Sequence, residues 1–113
     1  MSADLLAAVA EIMGRGGDAD RVLQETVDTL AVEHGISWAG IAFLEEGELV
    51  LGPAKGEPDE SRRARVPISY DGDPVGELQV DGEMHRAVLE QIAELVSPYV
   101  LIGWDTGGEP WEP

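Results

Sequence analysis

The pattern of apolar and polar positions divides the chain into three helical segments and two strand pairs. Residues 3–14, 19–34 and 83–102 repeat their apolar positions at the spacing of an amphipathic helix. Between the second and third segments, apolar runs of strand length are separated by short turns rich in glycine and acidic residues. This order of elements predicts an α+β domain, in which an antiparallel sheet carries its helices on one face.

The first strand pair is expected to contain a central strand of the sheet. Its two apolar runs, residues 38–44 and 49–53, flank an acidic turn in which Gly47 can adopt a positive φ. The first run is apolar at nearly every position, whereas a half-buried strand alternates, so we expect a central strand that is covered on both faces. Gly40 within this run indicates that another group packs closely against the backbone.

The second strand pair is predicted over residues 63–70 and 75–80, with a turn at residues 71–74. A three-residue loop would pair Ile68 with Gly76 and gather the apolar side chains on one face of the sheet. The opposite face would then carry Arg63, Arg65, Glu77 and Gln79. A two-residue loop would scatter the apolar residues over both faces, so we favour the three-residue register.

Length and composition indicate one domain. We expect this domain to span residues 1–103 and a loose acidic tail to follow over residues 104–113, which show no periodicity. No stretch approaches the roughly 20 apolar residues of a membrane-spanning helix. The N-terminus also lacks the basic and apolar regions of a signal peptide, so we expect a cytoplasmic protein.

The balance of charged residues excludes several classes of partner and chemistry. With 23 acidic against 7 basic residues, the net charge is −16, and we expect no binding to nucleic acid or to anionic membranes. The acid excess is equally consistent with adaptation to a salty cytoplasm, where screening weakens self-repulsion. Because the chain contains no cysteine and only two histidines, we predict no metal site and no cofactor.

Two stretches of the chain match the motifs of a known domain family. Residues 38–58 read WAGIAFLEEGELVLGPAKGEP, in which a Trp-x-Gly strand leads to Leu-Val-Leu-Gly-Pro and then to Gly-x-Pro. The second stretch is Val-Pro-Ile at residues 66–68, followed by Asp-Gly and by Val-Gly-Glu-Leu at residues 75–78. Together they resemble the GAF domain, and more narrowly its free-methionine-(R)-sulfoxide reductase branch. The resemblance implies a four-stranded antiparallel sheet of order 2-1-4-3, with the N- and C-terminal helices on one face.

The resemblance does not extend to the reductase chemistry. In the reductases Ala-Cys follows the Gly-x-Pro, whereas Asp59 and Glu60 occupy the matching positions here. The block that carries the other cysteine is missing, and this block normally forms a wall over the open face of the sheet. Of the acids that hold the substrate only Asp81 keeps its type, since Arg63 and Gln79 stand at the other two positions. We therefore expect no sulfoxide reductase activity and a shallow open face.

We predict a non-catalytic GAF-like module that acts in the cytoplasm by dimerising or by docking on a protein partner. The apolar surface of the first and third helices favours a homodimer through these terminal helices. No catalytic residue is predicted, because no constellation of acid, base and nucleophile emerges from the sequence.

The alternative function is a sensor for a small anionic ligand on the open sheet face. Arginine side chains can hold a carboxylate or phosphate through two parallel hydrogen bonds. The candidate ligand-binding residues are Trp38, Arg63, Arg65, Glu77 and Gln79. Cross-strand pairing of the arginines with Glu77, Gln79 and Asp81 is the competing interpretation, and we favour it.

Overall fold

The computed structural model describes the backbone of residues 2–107 and the side chains of residues 5–101. Within this part, four strands form one antiparallel sheet in the order β2-β1-β4-β3, and three α-helices accompany it. The elements, in chain order, are α1 (Ser2–Arg15), α2 (Ala19–Ala31), β1 (Ile36–Glu45), β2 (Glu48–Gly56), a 3₁₀ turn (Glu60–Arg62), β3 (Arg63–Tyr70), β4 (Asp73–Gly82) and α3 (Arg86–Gly107). The α+β class and the strand order predicted from the sequence are both confirmed.

One hydrophobic core lies between the helices and a single face of the sheet. Alternate residues of β1 and the inward residues of β3 and β4 contribute to it, and the apolar stripes of all three helices cover them. Its largest fully buried side chains include Leu23, Leu30, Ile41, Ile68, Leu78, Leu89 and Ile92. The opposite face of the sheet is left without a helix of the described chain, and we call it the open face.

The first hairpin closes as the sequence predicts. Glu46 and Gly47 form a two-residue turn and both have positive φ, of 52° and 84°. Strand β1 pairs with β2 on one side and with β4 on the other, so it is central. Its residues from Trp38 to Phe43 are all buried, although only alternate ones belong to the helix-covered core.

The second hairpin has the predicted register but a different turn. Ile68 pairs with Gly76 and Val66 with Leu78, as expected, yet the loop contains only two residues, Asp71 and Gly72. The register shifts between Ile68 and Ser69 because Val75 is an extra residue in β4. The extra residue that the sequence prediction places in the loop is thus a β-bulge at Val75. The bulge keeps the apolar side chains on one face.

The helix boundaries differ from the sequence prediction at two places. Helix α2 ends at Ala31 rather than at residue 34, and α3 spans Arg86–Gly107 rather than residues 83–102. The buried stripe of α3 follows Val88, Leu89, Ile92, Ala93, Val96 and Val100, and Leu95 and Tyr99 pack partly buried against the same core. The predicted tail begins inside α3, and its residues 108–113 lie outside the described part.

Helix α3 continues through Pro98 because a neighbouring side chain replaces part of the lost bonding. A proline has no N–H to donate to the carbonyl four residues earlier, which here belongs to Glu94. The Ser97 hydroxyl donates to that carbonyl oxygen at 2.9 Å. None of the described helices is long and apolar enough to cross a membrane.

Candidate functional site: the open face of the sheet

The open face divides into an apolar half and a polar half. Cross-strand pairing places Trp38, Gly40, Ala42 and Leu44 of β1 beside Leu49, Leu51 and Ala54 of β2. The side chains of Trp38, Ala42, Leu44, Leu49 and Leu51 are called the apolar strip. On β4 and β3 the same face carries Asp81, Gln79, Glu77, Arg65 and Arg63, which we call the polar cluster.

An ion pair between β3 and β4 is the centre of the polar cluster. Arg63 lies directly opposite Asp81 in the register. Its Nε donates to Asp81 Oδ1 at 2.7 Å and its Nη2 donates to Oδ2 at 2.9 Å. The Asp81 side chain has no exposed surface and that of Arg63 is 11% exposed. This two-point geometry satisfies both carboxylate oxygens of a buried acid.

The surroundings of Asp81 keep it ionised. The hydrogen bonds from Arg63 are the main reason why the pKa of Asp81 lies below its ordinary value, against the opposing effect of burial. The backbone N–H of Asp59 donates to Asp81 Oδ2 and lowers the pKa further. The hydrogen bonds between Arg63 and Asp81 also raise the pKa of Arg63. Both groups therefore stay charged, and neither is suited to exchange a proton near neutral pH.

The Arg63 guanidinium also covers the ring of Trp38. Its Cζ lies 4.3 Å from the ring centroid, which is a cation–π distance. The ring itself lies over Gly40, because a Cβ at that glycine would approach Trp38 Cη2 to 2.6 Å. Gly40 was expected to accept a close neighbour, and that neighbour is the Trp38 indole.

The segment before β3 holds this arrangement in place. Ser61 Oγ donates to Asp59 Oδ1 at 2.7 Å, and the Glu57 N–H donates to the Ser37 carbonyl oxygen at 2.8 Å. The third guanidinium nitrogen of Arg63 lies 3.7 Å from Glu60 Oε2. All three nitrogens of Arg63 thus have an acceptor or an acid within the chain itself.

The remaining polar residues pair with each other. Gln79 Nε2 donates to Glu77 Oε1 at 2.7 Å, and Arg65 Nη1 lies 3.4 Å from the same oxygen. The Arg65 side chain is 53% exposed, so part of its guanidinium faces solvent. Of the two arginines in the polar cluster, Arg65 is the one with donors directed to water.

All five candidate ligand-binding residues lie on the open face, but the structure divides them into separate groups. Trp38 and Arg63 form one group around Asp81, whereas Arg65, Glu77 and Gln79 form another. The sequence analysis did not identify Asp81 as the centre or the Asp59 N–H as a partner. The register that pairs Ile68 with Gly76 also pairs Arg63 with Asp81, so this ion pair was accessible to sequence reasoning.

Clefts elsewhere on the molecule are shallow. One of about 310 Å³ lies between α1 and α2 beside Arg15 and Glu25, and one of about 360 Å³ lies between β3 and α3 beside Pro67 and Arg86. A third, of about 400 Å³, is lined by Glu83, Met84 and His85. Within the described part, no three His, Asp or Glu side chains come together in a way that could hold a metal ion.

The terminal helices use their apolar surface within the chain. Leu5 and Val9 of α1 are buried in the core, and the Tyr99 hydroxyl of α3 donates to the Met13 carbonyl oxygen at 3.2 Å. Three of the six large apolar side chains that are exposed in the described part lie instead on β2: Leu49, Val50 and Leu51. Half of the exposed large apolar side chains of the described part therefore lie on this edge strand, and one, Leu101, lies on α3.

Comparison with known proteins identifies relatives by structure alone. No family model and no curated protein matches the sequence. The fRMsr of Staphylococcus aureus in complex with its substrate superposes with a TM-score of 0.71 at 19% identity, over 88% of this chain and 95% of that chain. The free methionine-R-sulfoxide reductase of Neisseria meningitidis, also in complex with its substrate, gives 0.74 at 15% identity, over 93% and 91% of the two chains.

A GAF domain that is not a sulfoxide reductase superposes equally well on the chain. The GAF domain from the Acinetobacter phosphoenolpyruvate-protein phosphotransferase superposes with a TM-score of 0.75 at 14% identity, over 96% of this chain and 98% of that chain. These matches confirm the resemblance that the two sequence stretches indicated. The chain therefore has the GAF-like fold that these two reductases share with the Acinetobacter GAF domain.

Proposed function

We propose that the chain is a non-catalytic GAF-like regulatory module, which acts in the cytoplasm by dimerising or by docking on a protein partner. It would provide a binding surface for another protein chain and would catalyse no reaction. The GAF domain among its structural neighbours supports a sensing or signalling type of role. Sulfoxide reduction by thiol chemistry is excluded from the proposal, because the chain contains no cysteine.

The observation that carries this proposal is that the Arg63 guanidinium is already bound within the chain. Arg63 is the cation best placed to hold a ligand over Trp38, yet it is bonded to Asp81, stacked on Trp38 and close to Glu60. A small anion would have to replace a two-point ion pair with a fully buried carboxylate, which would leave that carboxylate uncompensated. The open face thus supports contacts with another macromolecule better than capture of a small molecule.

A sensor for a small anion remains the second candidate, and Arg65 is the observation that favours it. Its side chain is half exposed, and its 3.4 Å ion pair with Glu77 is long enough to rearrange. A carboxylate or phosphate could bind to Arg65 with Gln79 beside it, without disturbing Arg63. Such a site would be shallow and exposed to water, so we expect weak binding.

Native mass spectrometry of the chain purified from its own host tests the proposal. We expect dimers or complexes with another protein, and no additional small-molecule mass on any subunit. A reproducible added mass that disappears in an Arg65→Ala variant would establish the sensor instead. A chain that stays monomeric, binds no protein and retains no small molecule would contradict both functions.

A second assay addresses catalysis. The purified chain, incubated with free methionine-R-sulfoxide and a thiol reductant, should produce no methionine above the rate of the reductant alone. Turnover that scales with the amount of protein and is lost in an Asp81→Asn variant would overturn the non-catalytic proposal.

A further inference from the structure

The leucines of the apolar strip form an exposed surface that no described helix covers. Leu49 and Leu51 are 46% and 54% exposed, and both lie on the open face with Leu44 and Ala42 beside them on β1. Neighbouring apolar side chains on one strand face are unusual at a protein surface without a partner. We propose that the apolar strip binds an amphipathic, positively charged helix of another protein. This inference rests on the proposed docking function and assigns that function a surface and a class of partner.

Both edges of the sheet are unsuited to pairing with a partner strand. On β2, the register shifts opposite Ile41, and Pro53 in this irregular segment has no N–H to donate. On β3, Pro67 also lacks an N–H, and Arg86 of α3 donates to the outward carbonyl oxygen of Arg65 at 3.2 Å. These features oppose strand addition, so a partner is expected to bind on the face of the sheet.

Charge indicates which kind of partner fits. The turn at the hairpin end of the strip is acidic, since it contains Glu46, and Glu45 and Glu48 flank it, although alternation places these two on the opposite face of the sheet. The arginines of the open face lie across the sheet on β3 and already pair with Asp81 and Glu77. An apolar surface on a chain with a net charge of −16 matches a helix that presents leucine-like side chains flanked by Lys or Arg.

The same charge disfavours a second copy of the chain as the occupant. Each copy carries a net charge of −16, so two copies repel each other. The strip is also small, because Trp38 and Ala42 are nearly buried and only three leucines offer much surface. A stable dimer interface covers about 800 Å² on each partner, which is more than such a strip supplies.

The dimensions of the strip fit a short helix. Along β1 the strip extends over six residues, from Trp38 to Leu44, or roughly 20 Å at the usual rise of a strand. A helix spans this length with about 13 residues, or between three and four turns. Its contacts with the strip would be apolar residues at positions i, i+3 or i+4, and i+7.

Titration with designed peptides tests the proposal on the intact chain. The probe is a labelled helical peptide of about 14 residues, with Leu at the i, i+3, i+7 positions and Lys elsewhere on its surface. One control peptide has the same composition in scrambled order, and another has Glu in place of Lys. Fluorescence anisotropy should show binding of the amphipathic basic peptide at least about tenfold tighter than binding of either control.

Variants of the chain show whether the strip is the binding surface. Leu49→Ser with Leu51→Ser should weaken binding of the basic peptide about tenfold or more, whereas Val32→Ser should leave it unchanged. Val32 is a matched control because it is also exposed, at 79%, but lies after α2 rather than on the open face. Peptide-induced shifts of the Leu44, Leu49 and Leu51 methyl signals in the unmutated chain give a second readout that does not depend on a variant.

The outcomes separate this inference from the proposed function. Equal binding of the scrambled peptide, no effect of the leucine variants, or no binding at all would overturn the helix-binding strip. The docking function would survive if the chain still formed complexes in native mass spectrometry. Dimers that dissociate in the leucine variant would assign the strip to a second copy and would also overturn the inference. A retained small molecule would instead overturn the docking function itself.

Discussion

Arg63 and Asp81 form a buried two-point ion pair across β3 and β4, and the same guanidinium covers the Trp38 ring 4.3 Å away. The pair occupies the part of the open face where a ligand could otherwise reach Trp38. It therefore has two consequences. It joins β3 to β4 beside the 3₁₀ turn, and it engages the Arg63 donors that a small anion at Trp38 would need.

The first prediction concerns the stability that depends on this ion pair. Replacement of Asp81 by Ala would leave the charge of Arg63 nearly buried without its partner, so we expect the free energy of unfolding to fall by about 3–5 kcal/mol. Urea unfolding measures this change. The matched control is Glu90→Ala, which removes an exposed ion pair with Arg86 and should cost no more than about 0.5 kcal/mol. Equal losses in the two variants would show that the Arg63–Asp81 pair is no stronger than a surface one.

The second prediction concerns the stability of the chain at low pH. The pKa of Asp81 in the folded chain lies below that of the unfolded chain, mainly because of its hydrogen bonds from Arg63. Its stabilising effect is therefore complete above the unfolded value of about 3.9 and is lost as the pH falls through the folded value. The difference in stability between the unmutated chain and Asp81→Asn should stay constant from about pH 7 to 5 and shrink below about pH 4. A difference that already shrinks near pH 6 would contradict this.

The third prediction concerns the close contact below Trp38. A methyl group at Gly40 would push the indole away from the sheet and out of its stack with Arg63, so Gly40→Ala should cost about 1–3 kcal/mol. Gly14→Ala is the matched control, because Gly14 lies in α1 with no atom near its missing Cβ. That control should be neutral or stabilising by up to about 1 kcal/mol. Thermal unfolding of the two variants checks both values.

The fourth prediction concerns the bulge in β4. Deletion of Val75 removes the extra residue and leaves a regular two-residue hairpin with Ile68 still opposite Gly76, so the fold should survive with modest loss of stability. Deletion of Gln79, which is paired with Arg65, shifts every residue on one side of it to the wrong face. Circular dichroism should show a folded chain for the first deletion and an unfolded one for the second. If both deletion variants were folded, the pairing of β3 with β4 would not depend on the alternation of β4, which would contradict the prediction.

Much of the fold followed from the sequence because periodicity and turn chemistry agreed. The unbroken apolar run from Trp38 to Leu44 indicated a central strand, and the structure places β1 in the middle of the sheet. The Val75 bulge was not predicted, since an extra residue in a strand and a longer loop give the same register further along. Helix α3 ends at Gly107, beyond the predicted residue 102, and it continues through Pro98, where the Ser97 hydroxyl donates to the Glu94 carbonyl oxygen that Pro98 leaves without its usual donor.

The candidate site was predicted in its location but not in its contacts. The alternation of β3 and β4 placed Arg63, Arg65, Glu77 and Gln79 on one face, which the structure confirms. The preference for cross-strand pairing over a free arginine patch also agrees with the geometry. The bond from the Asp59 N–H to Asp81 was beyond sequence reasoning, because it depends on how the 3₁₀ turn bends back over β4.

The claim that the Arg63–Asp81 ion pair does not open for a small molecule is tested most directly by an NMR titration. The titration follows the side-chain signals of Arg63 Nε and Trp38 Nε1. Phosphate, acetate and free methionine-R-sulfoxide would each be added up to about 10 mM. We predict that both signals stay in place and that the Arg63 Nε–H exchanges slowly with water, while the exposed Arg65 Nε–H exchanges fast. Saturable shifts of Arg63 and Trp38 with any of these three compounds would show that the ion pair opens for a ligand, and would make the chain a small-molecule sensor.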